Sequence, residues 1–347
     1  MLSLPVELQL RIFELATHVP RLFEITPDIN GIFLNDSRGV ATILDILEDF
    51  HRSLLTRKSL ALVSRTFNAV ATPILYSCIH LTASSAEVMS SIDASKGHMV
   101  RHVIMDFPQR VGASTEVKVA SFFDLLPNVQ ALTIRMAKFI PGGTPFLYPN
   151  GILARTMVKQ LGPTLRKLTL EDPSPKLLRP SDFDAFTSSL VHLECFTCFC
   201  SFPSVSYSEN LVKFPPSLPH LTHVNIQNIP LAFPPNATPT HVLCPLNNHI
   251  PSLLSPALTH LSLTISNTAI SFDVYSALRL HAPNLTSLAI SGPLPDVTRF
   301  LASGPVPAIP RLTFVHIHPK IREVPTSTEP KRRCGLTRSQ RFRDEAR

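Results

Sequence analysis

The chain has no tryptophan and only 11 glycines among its 347 residues. So little glycine leaves little material for loops that wrap a phosphate, and neither G-x-x-x-x-G-K-[ST] nor a convincing G-x-G-x-x-G is present. Charge is scarce too. Asp, Glu, Lys and Arg make up 16% of the residues, against roughly 25% in an average protein. No stretch reaches the ~18 uncharged apolar residues that a membrane span requires. The apolar run LPVELQLRIFELA at 4–16 has no basic residue ahead of Arg11, and Glu7, Arg11 and Glu14 interrupt it. It therefore does not read as a signal peptide, and the chain is expected to be soluble and intracellular, in the cytoplasm or the nucleus.

The six cysteines are Cys78, Cys195, Cys198, Cys200, Cys244 and Cys334. Three crowd into HLECFTCFC and the others are scattered, which is not a disulfide framework. Cys-x-x-Cys-x-Cys beside His192 invites a zinc reading, but no second knuckle completes it. Cys195 also falls on an apolar position, where it acts as a small hydrophobe. No metal and no cofactor is expected.

The net charge of +7 is unevenly placed. From Lys320 onward nine basic residues face four acidic ones, which leaves residues 1–319 near neutral. A nucleic-acid-binding body has little support. The segment 320–347 reads as a basic, disordered tail.

Proline and apolar residues are plentiful, at 33 residues and 44%. Evenly spread proline predicts many short elements, each ended by a turn. Residues 4–16 have helical spacing. Leu4, Leu8, Ile12 and Leu15 share one face, and Phe13 widens it. Pro5 suits a helix start, and Glu7 complements the helix dipole there. A second amphipathic helix is expected over 42–56. A third is expected over 59–81, broken at Pro73.

In LP-x-EL-x-x-x-IF the matching residues are Leu4, Pro5, Glu7, Leu8, Ile12 and Phe13. In L-x-LVSR-x-F-x-x-x-A they are Leu60, Leu62, Val63, Arg65, Phe67 and Ala71, and P-x-LY follows. Together these resemble the F-box, especially its fungal form. The resemblance implies a small helical trio over 1–81 that docks on the adaptor subunit of a cullin–RING (SCF-type) ubiquitin ligase, and through it reaches the cullin. It implies Leu4, Pro5, Glu7, Leu8, Ile12, Phe13, Leu60, Leu62, Val63 and Phe67 as docking residues. Some 40 extra residues separate the two halves, so about 17–41 reads as an inserted loop. Phe67 stands where the family often has Trp.

From residue 95 a Leu-x-x-Leu-x-Leu pattern recurs. Its triplets start at Val100, Val129, Leu165, Leu190, Leu221, Leu258, Leu285 and Leu312. Helix-like segments at 114–126, 181–190, 271–282 and 295–303 lie between them. The fold class is therefore α/β: the helical domain followed over 82–319 by a solenoid with a parallel sheet and helices outside. The pattern resembles, loosely, leucine-rich repeats. One unit cannot bury its own ladder, so neighbours share a core.

The residue before each second ladder position should face the concave side. That row is His102, Ala131, Lys167, His192, His223, His260, Ser287 and Phe314. It predicts His192, His223 and His260 side by side, able to meet an acidic or phosphorylated partner or to respond to pH. Polar filler on an exposed sheet is the plainer alternative. Thr133, Arg135, Thr169, Asn225 and Ser262 complete a candidate substrate face with Lys167 and the histidines. No carboxylate and no nucleophile is registered with these rings. The chain thus reads as a non-catalytic adaptor that brings an unidentified protein substrate to a ligase. Two alternatives stand beside it: a repeat scaffold capped by the N-terminal helices, or an α/β enzyme that uses the Cys/His region.

Overall fold

The structure is a computed structural model that describes residues 5–19, 43–82, 89, 91–107, 121–136, 160–171, 190–199, 212–213, 218, 220–227, 231–232, 239–245, 254–265, 274–302 and 310–320. Leu4, residues 20–41 of the expected inserted loop, 114–120 and 181–189 of the expected helical segments, and the tail beyond Lys320 lie outside these residues, whereas Thr17, at the start of that loop, ends the first helix.

Among the described residues, three helices come first: α1 (Val6–Thr17), α2 (Ile43–Ala61) and α3 (Arg65–Tyr76). α1 follows extended Pro5, with Glu7 in its first turn. α2 runs longer than expected and stops at a turn where Leu62 N–H bonds Ser59 O and Val63 N–H bonds Leu60 O. Ser64 then caps α3 by accepting from Phe67 N–H at 3.1 Å, which satisfies one of the free donors of a helix start. The expected break at Pro73 does not occur, because α3 continues through it to Tyr76. The lost hydrogen bond falls in the last turn, where Ile74 and Tyr76 are anchored by packing.

α1 packs on both α2 and α3. Phe13, Ala61, Val70 and Ala71 form the apolar centre, with Leu60, Phe67 and Ile74 packed around it. A polar knot closes the same interior. Arg57, 1% exposed, donates from Nη2 to Thr17 O at 3.1 Å, from Nη1 to Ile74 O at 2.9 Å and from Nε to Ser53 Oγ at 3.1 Å. Thr17 and Ile74 lie at the C-terminal ends of α1 and α3, where unpaired carbonyls carry partial negative charge. One guanidinium fork thus ties two helix ends to α2.

Only Ser77 separates α3 from β1 (Cys78–Leu81), so the sheet begins inside the expected third helix. The short α4 (Ala94–Gly97) follows. Nine further strands extend one parallel sheet: β2 (His102–Phe107), β3 (Ala131–Met136), β4 (Lys167–Glu171), β5 (Cys195–Phe199), β7 (His223–Gln227), β9 (His241–Pro245), β10 (His260–Thr264), β11 (Ser287–Pro293) and β12 (Phe314–Lys320). The order is β1-β2-β3-β4-β5-β7-β9-β10-β11-β12. β6 (Val212–Lys213) and β8 (Leu231–Ala232) pair separately. Each new strand is added beside the one before it, as a repeating unit requires. α5 (Val274–His281) falls within the expected segment 271–282, and α6 (Leu294–Ala302) matches the expected 295–303 shifted by one residue.

The ladder forms the core. Val103, Leu132, Leu168, Phe196, Val224, Val242, Leu261 and Leu288 lie in register and are buried. Two residues on, Met105, Ile134, Leu170, Cys198, Ile226, Cys244, Leu263 and Ile290 repeat the pattern on the same face, as a period of two demands. Phe122, Phe123, Leu278, Val297 and Phe300 cover that face.

Two expectations are corrected. β5 is phased three residues late: its ladder is Leu193, Phe196 and Cys198, not Leu190, Leu193 and Cys195. Leu190 and Leu193 are both fully buried, so apolarity at a spacing of three fits either phase. β9 is an additional repeat, with Pro239 in place of its first leucine. A threonine recurs just ahead of five of the strands. Oγ1 of Thr222, Thr240, Thr259, Thr286 and Thr313 each donates to the carbonyl at the start of the preceding strand, at 3.0–3.3 Å.

Candidate functional site

Two surfaces carry the residues singled out by sequence. The first is on the helices. α1 turns Gln9, Phe13 and Thr17 inward and leaves Val6, Leu8, Ile12 and Leu15 outward, at 56%, 52%, 49% and 64% exposure. Leu62 and Val63 in the α2–α3 turn are exposed as well, and so is Leu55. So many exposed large apolar side chains on one short helix and the turn after α2 are unusual on a solvated surface. Pro5 and Glu7 are exposed beside them. Phe13, Phe67 and Leu60 are not among them. Phe13 is buried, its ring 5.0 Å from that of Phe67, and Leu60 packs against the same cluster. Phe13 holds the trio together from inside, while Leu60 and Phe67 are half-buried at its edge.

The second surface is the sheet face opposite the ladder. In register across it run Cys78, His102, Ala131, Lys167, Cys195, His223, His241, His260, Ser287 and Phe314. A row of three histidines exists, but its members are His223, His241 and His260. Their ring centroids are 4.5 and 4.3 Å apart. His192 lies in the turn before β5, stacked on His220 at 5.8 Å. Cys195 takes its expected place, a result of the β5 phase. His241 is the member that sequence reasoning missed, because β9 was missed.

The three rings share one chemistry. Each Nδ1 lies 2.7–2.9 Å from the Oγ1 of the preceding threonine. That hydroxyl already donates to a carbonyl, so it must accept from Nδ1–H. Each Nε2 therefore keeps its lone pair, and that of His223 is buried without a partner. Burial lowers all three pKa values. For His241, burial and then the flanking rings bring it down to about 3. Neutral rings favour a hydrogen-bond donor over an acidic or phosphorylated partner, one of the alternatives the sequence leaves open, although burial closes the Nε2 of His223 to any partner from outside.

Thr133, Thr169 and Ser262 are 5–7% exposed, more enclosed than a free contact face requires. Thr133 Oγ1 is 3.2 Å from His102 Nε2. Asn225 and Lys167 are half-buried. Arg135 is committed: Nη1 pairs with Asp106 at 3.2 Å and Nε with Glu171 at 2.7 Å. Asp106 also meets His80 Nε2 at 3.0 Å, and His80 Nδ1 is 3.2 Å from His51 Nε2 on α2. Burial alone would raise the Asp106 pKa. The His80 hydrogen bond and the Arg135 charge outweigh it and hold the carboxyl below its usual range.

The cysteines do not form a reactive centre among the described residues. Cys195 and Cys198 lie on opposite faces of β5, since an odd step in a strand reverses the side chain. Burial raises the thiols of Cys78 and Cys195 and pushes Cys244 up to about 12, so they stay protonated and unreactive. Among the described residues no group of three or more His, Cys, Asp or Glu is placed to hold a metal ion. No described helix is long and apolar enough to cross a membrane.

No model of a known family matches the chain, and no curated protein does. Among solved structures, the crystal structure of the yeast Rad7 and Elc1 complex aligns with 89% of this chain and 92% of the matched chain, at 12% identity and a TM-score of 0.25. A likeness that weak carries no argument about function.

Proposed function

We propose that this chain is a substrate-recognition adaptor of an SCF-type cullin–RING ubiquitin ligase. The N-terminal trio is an F-box that docks on the ligase's small adaptor subunit, and the leucine-rich-repeat-like sheet receives a protein substrate. The observation that carries the reading is the number of outward apolar side chains, Leu8, Ile12 and Leu15 on α1 and Leu62 and Val63 in the α2–α3 turn, on a trio that has an apolar centre of its own. Apolar helix surface left over after a bundle has closed is what helix-in-groove recognition uses. The chain supplies no catalytic group in this scheme. It raises the effective concentration of substrate lysines near a charged conjugating enzyme.

The test is co-purification of the full chain with the ligase's small adaptor subunit, as wild type and with Ile12→Asp plus Leu62→Asp. Both positions are solvent-facing, so the variant should stay folded and lose the partner. Undiminished binding by the folded double variant would sink the docking assignment. A capped scaffold is the second reading, favoured by the single residue between α3 and β1. It expects no adaptor binding by any form.

A further inference from the structure

We propose that His51 and His80 form a two-imidazole site for a borderline divalent transition-metal cation, Zn2+, Ni2+ or Cu2+, with Asp106 orienting His80. His80 Nε2 lies 3.0 Å from Asp106 Oδ2. An ionised carboxylate only accepts, so Nε2 carries the proton. In neutral imidazole that leaves the lone pair on Nδ1, the atom facing His51 Nε2 at 3.2 Å. Two imidazole nitrogens bound tetrahedrally at ~2.05 Å to one Zn2+ are ~3.3 Å apart. The observed spacing is close to that value; the rings, 5.4 Å between centroids and 30° between planes, now meet nitrogen to nitrogen and would tip to aim both lone pairs at one ion. A carboxylate on the far nitrogen of a ligating histidine fixes its tautomer and raises its basicity.

The surroundings fit the same role. The His80 side chain is 11% exposed and held on a strand, whereas His51 is exposed on α2. The ion has a strand-borne inner ligand and an accessible outer one. Arg135, the nearest described cation on the sheet face, is already engaged by Asp106 and Glu171. On α2, Arg52 pairs with Glu48. Imidazole nitrogens select Zn2+, Ni2+ and Cu2+ over Mg2+ and Ca2+. The His223–His241–His260 row differs: its rings lie face to face, 4.3–4.5 Å between centroids, with each Nδ1 on a threonine hydroxyl, whereas His51 and His80 meet nitrogen to nitrogen. A metal at His51 and His80 would link α2 to β1 and fasten the helical trio to the sheet.

The experiment titrates Zn2+ or Cu2+ into the full chain against a chromophoric chelator, with Cu2+ electron paramagnetic resonance to count nitrogen ligands. Wild type should bind one equivalent with two imidazole nitrogens and gain thermal stability. His51→Gln should weaken that binding by at least about tenfold, remove one nitrogen and abolish the thermal gain. Asp106→Asn should weaken it by about 10–100-fold, and His241→Gln should leave it unchanged. The same stoichiometry, affinity and nitrogen count in wild type and His51→Gln would overturn the proposal and leave a plain His–His hydrogen bond. Because His51 is exposed, its variant decides the matter even if Asp106→Asn fails to fold.

Discussion

The helical trio and the sheet are inverted with respect to each other. In the sheet, Leu132, Leu168 and Leu288 are fully buried, and the face away from the ladder carries histidine, threonine and charge. In the trio, Arg57, Gln9, Thr17 and Ser53 are buried, while Val6, Leu8, Ile12, Leu15, Leu55, Leu62 and Val63 point outward. The sheet's ladder is buried through β11, and only at the edge strand β12 do the expected ladder residues Val315 and Ile317 stand exposed, with no strand beyond them among the described residues. The trio keeps polar groups where its helix ends converge and exposes apolar ones that nothing within it covers. Water penalises that arrangement unless a second surface covers the strip.

The largest effects should come from breaking the two interiors. Leu168→Ala removes a fully buried ladder side chain and should cost about 2–5 kcal/mol in urea unfolding. Arg57→Ala should cost about 3 kcal/mol, from an opened cavity and lost bonds to two helix ends. Arg57→Met should cost less, because Ser53 and Ser77 hydroxyls still reach the Thr17 and Ile74 carbonyls at 2.6 and 2.7 Å. Equal losses for Ala and Met would mean that the guanidinium charge, and not its volume, holds the trio. Phe67→Ala falls between these and the surface changes, since its ring is only half-buried against Phe13. Ile12→Ser should change stability by no more than about 0.5 kcal/mol. A large destabilisation there would show that the strip packs inside the chain.

The same contrast explains what could be read from sequence. The ladder was legible wherever proline stood before a Leu-x-x-Leu-x-Leu triplet, as at Leu165, Leu168 and Leu170, because period and turn signal agree. It failed at β5, where Leu190 and Leu193 allow two phases, and at β9, where Pro239 fills a leucine's place. On α1 the helix was legible but its inward side was not. The helix is apolar on several sides, and the choice of Gln9, Phe13 and Thr17 follows from a helix end that must reach Arg57 and Ser53, 36 or more residues away. Asp106, His80 and His51 were invisible for a related reason. Their meeting depends on the register of β1, a strand hidden inside an apparent helix.

The smallest predicted effect concerns the histidine row, and its sign is fixed by the direction of the shifts. Free histidine titrates near 6.5. In the folded chain His223, His241 and His260 lie below that, with His241 at about 3. The unfolded state therefore takes up protons first, so these groups oppose folding only once the pH drops below about 6.5. Their penalty grows as the pH falls toward 3, while above 6.5 it is absent. Glu194 works against this at His223 by favouring the charged ring, and each neighbouring ring works with it. His241→Gln removes the central proton acceptor, and its amide can still reach Thr240 Oγ1. Urea midpoints at pH 7.5 should match wild type closely. At pH 5 the variant should lose less stability than wild type. An identical fall for both would mean that the row charges as readily folded as unfolded, which would return an anionic partner to this face of the sheet.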